Sequence, residues 1–297
     1  TAAACLTALV MTSVAVGCGS TSESAPASDT ATATPGADTL VPQDIQVTLK
    51  QYGCLYQLTD QTVDTYEDDV PAEMKKQCGE RIALVREMIR YGVLKACTNV
   101  FYAGGGASRA AVNAKISLNL LRKISRNLQA NHAKRVTGIL SPSAMIATKP
   151  VEASYLVFVH TDGEADIRDL QGFVHVSAYG SRKPVHAQEI GSCENFRFIT
   201  SAELAPYAGA GAAIGSTGLT GTTNVDVYPF IMVGEDAWGQ LALRGSDSID
   251  PTYIPPGVKD KSDPLGQRGY VGAKFYMACT MLNEGWMAVA EAGVTAL

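Results

Sequence analysis

The stretch DDVPAEMKKQCGERIALVREMIRYGVLKACTNVFYAGGG, residues 68–106, decides how the rest of the chain is read. Asp68 and Asp69 precede Pro71, an N-cap carboxylate followed by a proline in the first turn, which starts a helix. Apolar or small residues then recur at Met74, Cys78, Ile82, Val85, Ile89 and Val93. Spacings of three and four place them on one helical stripe. Glu73, Lys76, Glu80, Arg81, Arg86, Glu87 and Arg90 fall between them. The pattern predicts a helix to about Asn99, roughly 40 Å long, stopped by AGGG at Ala103. Helices of globular domains average about 12 residues. A longer one with a single apolar stripe needs a surface to lie on: it is either a core helix of a mixed fold or a spine crossing a thin subunit.

Upstream, IQVTLKQYGCLYQL (residues 45–58) alternates apolar and polar residues, with Ile45, Val47 and Leu49 on one face, the period of a strand. Residues 21–44 are rich in Ser, Thr, Ala, Pro and Asp and nearly lack large apolar side chains. Such a segment cannot bury enough surface to offset its ordering entropy. TPGAD at Thr34 is turn chemistry, so residues 45–58 read as the return strand of a long hairpin. Residues 1–20 contain LTALVMTSVAVGC, which resembles a bacterial lipoprotein signal with Cys18 as the acylated residue. No Lys or Arg precedes the apolar run and the chain does not open with Met, whereas a signal peptide has a positive start. An extended arm or strand is the reading adopted, with a cleaved, truncated or incompletely read beginning. No segment reaches the roughly 20 apolar residues of a spanning helix.

Downstream, Ile116, Leu120, Ile124 and Leu128 predict a second helix, with Lys115, Arg122, Lys123 and Arg126 on its other faces. Residues 139–150 read as a linker. ASYLVFVH at Ala153 is a buried strand by its continuous apolar run, and residues 162–170 a short helix. ENFRFIT and VDVYPFIMV give further strands, separated by the Gly-rich AGAGAAIGSTGLTGTT from Ala208, read as a flexible surface loop. ALRGSDSIDPTYIPPGVKDKSDPLGQ reads as loop. The last segment gives two strands with a turn around residues 283–285: Val271, Phe275 and Met277 in the first, Trp286, Ala288 and Ala290 in the second. No internal repeat is evident.

The 297 residues suffice for one large domain or two moderate ones. Only 18% are charged, against roughly 25% in typical domains, which suits a chain that hides much of its surface. The net charge of −5 and the lack of a basic patch exclude tight nucleic-acid binding. Seven cysteines are scattered without a C-x-x-C, which argues against zinc or redox motifs; they read as reduced, mostly buried thiols. His132, His160, His175 and His186 show no metal-ligand spacing. The glycines at 209, 211 and 215 depart from the nucleotide-binding patterns, and Ser216 lacks a G-x-S-x-G frame. Asp68 with Asp69 and Asp247 with Asp250 are ordinary solvated carboxylates, while Trp238 and Trp286 read as anchors of a core or interface. No catalytic, cofactor-binding or metal residue is assigned, and no cofactor.

Several motifs run in order along the chain: VTLKQYG at Val47 with QLTD after it, TNVFYAGG at Thr98, VFVHTD with His160 and Asp162, EIG at Glu189 with Arg197 and Phe198, VGEDAWG at Val233, and DPLGQRGYVGAK with Arg268, Gly272 and Lys274. Together these resemble the major capsid protein family of N-four-like podophages and related tailed phages, over residues 33–291. The family often has Pro where Thr161 stands, and residues 1–24 do not match its N-terminal arm. The resemblance implies an α+β fold, that of tailed-phage capsids and the herpesvirus capsid floor. Its parts would be an N-arm (1–24), an extended hairpin loop (25–60), a peripheral domain with the spine helix (61–150), an axial domain (151–262) and C-terminal strands returning to the periphery (263–297). It further implies a non-enzymatic subunit that assembles into hexamers and pentamers of an icosahedral shell around double-stranded DNA. Cement or decoration protein, portal and scaffold would be partners, with non-specific inner-surface DNA contact and no membrane. The location would be the virion, after assembly in the host bacterial cytoplasm. A lipid-anchored extracytoplasmic binding protein is the alternative, resting on AVGC and the Ser/Thr-rich stretch. An enzyme built on the Gly-rich segment ranks third, for want of an acid–base or nucleophile set.

Overall fold

The computed structural model describes residues 8–10, 43–136, 153–180, 184–215, 217–243 and 249–297. The linker at 139–150, the hairpin tip, Cys18, Ser216 and Asp247 lie outside these residues. The chain forms two units, Thr1–Thr48 and Leu49–Leu297. In the first, β1 (Ala8–Val10) pairs antiparallel with β2 (Gln43–Ile45), Leu9 opposite Asp44. β1 falls within the apolar run that resembles a lipoprotein signal.

The second unit begins with β3 (Lys50–Thr59), α1 (Asp60–Thr65), α2 (Val70–Leu94), β4 (Val100–Tyr102) and α3 (Leu118–Ala130). It continues with β5 (Tyr155–His160), α4 (Glu164–Arg168), β6 (Val174–His175), β7 (Glu189–Cys193) and β8 (Phe196–Ser201). β9 (Tyr228–Val233), β10 (Trp238–Ala242), β11 (Ile249–Ile254), β12 (Arg268–Met281) and β13 (Met287–Ala292) complete it.

β12 is the axis of a four-stranded antiparallel sheet. β3 runs along one edge from Thr59 opposite Arg268 to Lys50 opposite Met277. On the other edge β10 and β11 follow one another, Ala242 opposite Met277 and Ile249 opposite Phe275. Alternate residues point inward, as the pleat requires: Leu58, Val271, Ala273, Phe275 and Met277 form a core with Cys78 and Ile82 of α2, flanked by Tyr52, Cys54, Tyr56, Met74, Val85 and Ile89. The inward face of β3 is therefore the even-numbered one. Ile45, Val47 and Leu49 are each half-buried, but Lys50 and Gln51 are both exposed and the parity changes there.

The second sheet has seven strands in the order β4-β13-β9-β5-β8-β7-β6. β13/β4 and β5/β8 are parallel and the other pairs antiparallel. Every residue of β9 and β13 is buried, because both faces of the sheet are covered. One face packs on α3 and α4 through Leu121, Ile124, Leu128 and Ile167. The other packs on the end of α2 and the turn after it, through Tyr91, Leu94 and Cys97. α2 thus serves both sheets, and this shared role explains its 25 residues. Its start is as expected: the Asp69 carboxylate accepts from the Ala72 amide at 3.1 Å, and Pro71 lies in the first turn.

Several expectations are corrected. α2 ends at Leu94, not near Asn99, and AGGG does not stop it. β4 intervenes and pairs with β13, and Ala103–Gly105 is a 3₁₀ turn with Gly104 at φ 80°. The segment read as loop contains β11, whose side chains are exposed and so lack an apolar signature. The two C-terminal strands do not pair with each other: β12 belongs to the four-stranded sheet, whereas β13 inserts between β4 and β9 in the other, where its Met287 and Val289 pack on the end of α2. Likewise α3 and β4, grouped by sequence with residues 61–150, pack with the seven-stranded sheet.

The Gly-rich segment is not a free surface loop. The Gly211 and Ala212 amides donate to the carbonyls of Val225 and Val112, and that of Thr220 to Val294. A Cβ on Gly211 would lie 2.8 Å from the Val225 carbonyl oxygen and 2.9 Å from that of Val112, so glycine here permits close backbone approach.

Candidate functional site

Among the described residues, the groups that could do chemistry do not converge. The Nδ1 atoms of His160, His175 and His186 each accept from the backbone amide two residues on, at 3.1, 3.2 and 3.1 Å. These imidazoles close their own turns, as Asn and Asp often do. His132 follows α3 with φ 55°. Among the described residues no three His, Cys, Asp or Glu are grouped to hold a metal ion. Asp69 caps α2, and Asp250 forms an exposed ion pair with Lys274 at 3.2 Å.

What the second unit does present is buried ionic anchoring and two surfaces. Arg197 on β8 and Glu189 on β7 meet at 3.4 Å with almost fully buried side chains. Glu189 also accepts from the Tyr179 hydroxyl and the Val185 amide, both at 2.6 Å. This carboxylate thereby ties Tyr179 and Val185 to the sheet. Burial, and next the hydrogen bond to Glu189, push the Tyr179 phenol up to about 12. Arg109 grips buried Glu291 of β13 with two hydrogen bonds, 2.8 and 2.6 Å, and its guanidinium lies 3.6 Å from the centre of the Tyr207 ring. Asp166 of α4 accepts from Lys115 Nζ at 3.2 Å and from the Thr295 amide and hydroxyl at 2.8 and 2.6 Å. The C-terminal segment is thereby tied to α4.

The first surface is a groove of about 470 Å³ between α2 and the seven-stranded sheet. Tyr91, Leu94, Phe158, Leu204, Ile231 and Trp238 give it an apolar floor, rimmed by Arg86, Glu87, Arg90, His186, Gln188 and Ser201. Its rim is itself cross-linked. Arg90 donates from Nε and Nη2 to Gln240 Oε1 at 2.9 and 2.7 Å, and the Ser201 hydroxyl bonds the Glu87 carboxylate. Trp238 and Trp286 both pack against the core beside it.

The second surface is the face of the four-stranded sheet turned away from α2. Leu55 on β3 stands opposite Gly272 on β12 and is 67% exposed. A Cβ on Gly272 would meet the Cys54 carbonyl oxygen at 2.7 Å and Leu55 Cδ1 at 2.9 Å. With no side chain at Gly272, a shallow depression of about 290 Å³ opens between Leu55, Thr252 and Lys274.

Sequence reading did not find the Arg197–Glu189 and Arg109–Glu291 pairs, because each joins positions far apart in sequence or across strands. A charged residue inside an apolar strand such as FRFIT was the available signal, since an unpaired buried charge is costly. It also did not find that Cys54 Sγ and Cys78 Sγ stand 2.7 Å apart.

No family model matches the chain. Among curated proteins it is similar to the major capsid protein of Pseudomonas phage KPP21, 20% identical over 262 residues. That match takes in 81% of this chain and 65% of the relative, so the chain spans less than two thirds of the relative's length. Among solved structures it is similar to the capsid of Ralstonia phage GP4, with TM-score 0.66 and 12% identity over 89% of this chain and 80% of that one. The head of Helicobacter pylori bacteriophage KHP40 gives TM-score 0.63 and 11% identity over 98% and 84%. The capsid asymmetric unit of cyanophage Pam1 gives 0.59 and 13% over 99% and 86%. The fold is that of tailed-phage capsid proteins, an α+β architecture in which one long helix serves two sheets.

Proposed function

We propose that this chain is a structural subunit of a phage capsid, one that assembles with copies of itself into the shell of a virion. The observation that carries this reading is the capsid fold itself, matched along almost the whole chain, and the curated relative points the same way. Physical features support it. The four-stranded sheet leaves Leu55 uncovered, and repeated weak contacts of such faces sum to a stable closed assembly. A role as wall rather than catalyst agrees with histidines that serve their own turns. The lipid-anchored binding protein finds no support among the relatives.

The finer parts of the reading go with it as proposals. The sheet of β10, β11 and β12 with α2 would be the peripheral body, joined by β3 from the extended loop, and the seven-stranded sheet the axial body, with β13 in the latter. Residues 1–24 would be the arm and 25–60 the extended loop. Hexamers and pentamers, a portal, a scaffold, a cement or decoration protein and non-specific contact with packaged DNA complete the picture, with assembly in the host cytoplasm. Membership of the N-four-like group rests on the ordered motifs alone.

The test is expression of the chain alone and with the scaffold candidate from the same genome, followed by electron microscopy and sedimentation. Closed particles of uniform diameter are expected. A monomer under every assembly condition would overturn the reading.

A further inference from the structure

We propose that Cys54 and Cys78 form a thiol pair that closes to an intrachain disulfide, fastening the long strand β3 to the spine helix α2. Cys54 lies on the inward face of β3 and Cys78 on the apolar stripe of α2, in the same core. Their sulfurs are 2.7 Å apart, and Cys54 Sγ is also 3.8 Å from the Cys78 carbonyl oxygen. Little movement is needed to reach the ~2.05 Å of a disulfide bond. The two side chains come from elements that the rest of this core already holds in place, so proximity is built into the packing.

Of the other described thiols, only Cys279 borders the same core. Cys193 and Cys97 belong to the cores on the two faces of the seven-stranded sheet. Cys279 lies on β12, six residues beyond the Ala273 that stands opposite Cys54, roughly 20 Å along the strand. Among the described thiols, Cys54 and Cys78 are the two in contact.

The two thiols are also unequal. Cys78 is buried and Cys54 is half-exposed. Burial, with the hydrogen bond to Cys54, raises the Cys78 thiol to about 11, and an external disulfide reaches the half-exposed Cys54 sulfur first. With a low-molecular-weight disulfide such as oxidised glutathione, Cys54 loses its proton and attacks one sulfur. This forms a mixed disulfide and releases one glutathione thiolate. Cys78 then gives up its proton and attacks the Cys54 sulfur, and the second glutathione leaves. Two protein thiols are oxidised by two electrons, and one glutathione disulfide is reduced to two thiols.

The bridge does not depend on the capsid reading, but its timing does. Thiols stay reduced in a cytosol, whereas disulfides persist on particles outside cells. A shell subunit would thus assemble with a free strand and lock it after release.

The experiment incubates the full-length folded chain with oxidised or reduced glutathione, quenches with acid and an alkylating agent, and maps peptides by mass spectrometry. The oxidised sample should contain a Cys54–Cys78 peptide and should lack two of the seven titratable thiols. Its melting temperature should rise by ~5 °C and fall back on adding dithiothreitol. Cys78→Ser should leave a glutathione adduct on Cys54 without the rise. Three outcomes in the unaltered chain would each overturn the proposal: a stable glutathione adduct on Cys54 with Cys78 still free, bridges between chains or to Cys97, Cys193 or Cys279, or both thiols unmodified.

Discussion

Arg197 and Glu189 face each other inside the seven-stranded sheet at 3.4 Å, with side chains 2% and 0% exposed. Two charges this deep are stable only together, because removing one leaves the other unpaired in a medium that solvates it poorly. Arg197→Met should therefore cost about 3–5 kcal/mol. Adding Glu189→Gln to it should recover part of that loss, since the amide keeps an acceptor for Tyr179 without a charge. Denaturant unfolding of the parent, both single variants and the double variant measures the coupling. Simple additivity of the two substitutions would show that they do not act as a pair.

The same carboxylate gives an alkaline prediction. Tyr179 is shifted up to about 12 by burial and by its hydrogen bond to Glu189, from about 10 in an unfolded chain. The neutral phenol is favoured in the fold, so its contribution is fully present below pH 10 and is lost as pH rises through 12. Burial also raises Tyr91 and Tyr228, and they add to the same decline. Unfolding midpoints taken from pH 8 to 12 should fall above 10, less steeply in Tyr179→Phe. An equal slope in both chains would assign the decline to other groups.

α2 should respond to substitution according to which side of the helix is touched. Ile82 is 4% exposed against Phe275 and its neighbours, so Ile82→Ala should cost about 2–5 kcal/mol. Asp69→Ala removes the cap on the Ala72 amide and should cost about 1 kcal/mol. Thermal unfolding of the free subunit checks both. A smaller effect for Ile82→Ala than for Asp69→Ala would mean that packing on β12 contributes little to holding α2.

These elements also show what a sequence reader can and cannot see. The stripe from Met74 to Ile89 was legible because helical period and burial coincide. Beyond Ile89 it continues through Tyr91 and Leu94 rather than Val93, because the last turn of the helix packs on a second sheet. β5 was legible as a run of apolar residues buried in mid-sheet. β11 was not, since its six residues are exposed and it is held by backbone pairing with β12. The Gly-rich segment was read as mobile because glycine favours disorder when alone; here the missing side chains let Gly211 lie against two carbonyls. Ile45, Val47 and Leu49 share a half-buried parity, but Lys50 and Gln51 are both exposed, and from there the even-numbered residues of β3 face the core. An outward-facing apolar residue such as Leu55 leaves only a weak signal, one apolar position in a polar phase.

That residue provides the sharpest separation of subunit stability from assembly. Leu55 is 67% exposed, outward from the core that holds Cys54 and Tyr56. Leu55→Asp adds a charge to solvent-facing surface and should change the unfolding free energy of the isolated subunit by less than about 0.5 kcal/mol. If copies of the chain cover this face, the same charge must be desolvated at every contact in the shell. Repetition multiplies that penalty, so closed particles should be lost or greatly reduced while the subunit still unfolds cooperatively at its usual midpoint. Sedimentation and electron microscopy give the particle yield, and denaturant titration gives the stability. Full yield of normal particles from Leu55→Asp would place the subunit contacts on some other face. Loss of both particles and stability would assign Leu55 to holding β3 in place instead.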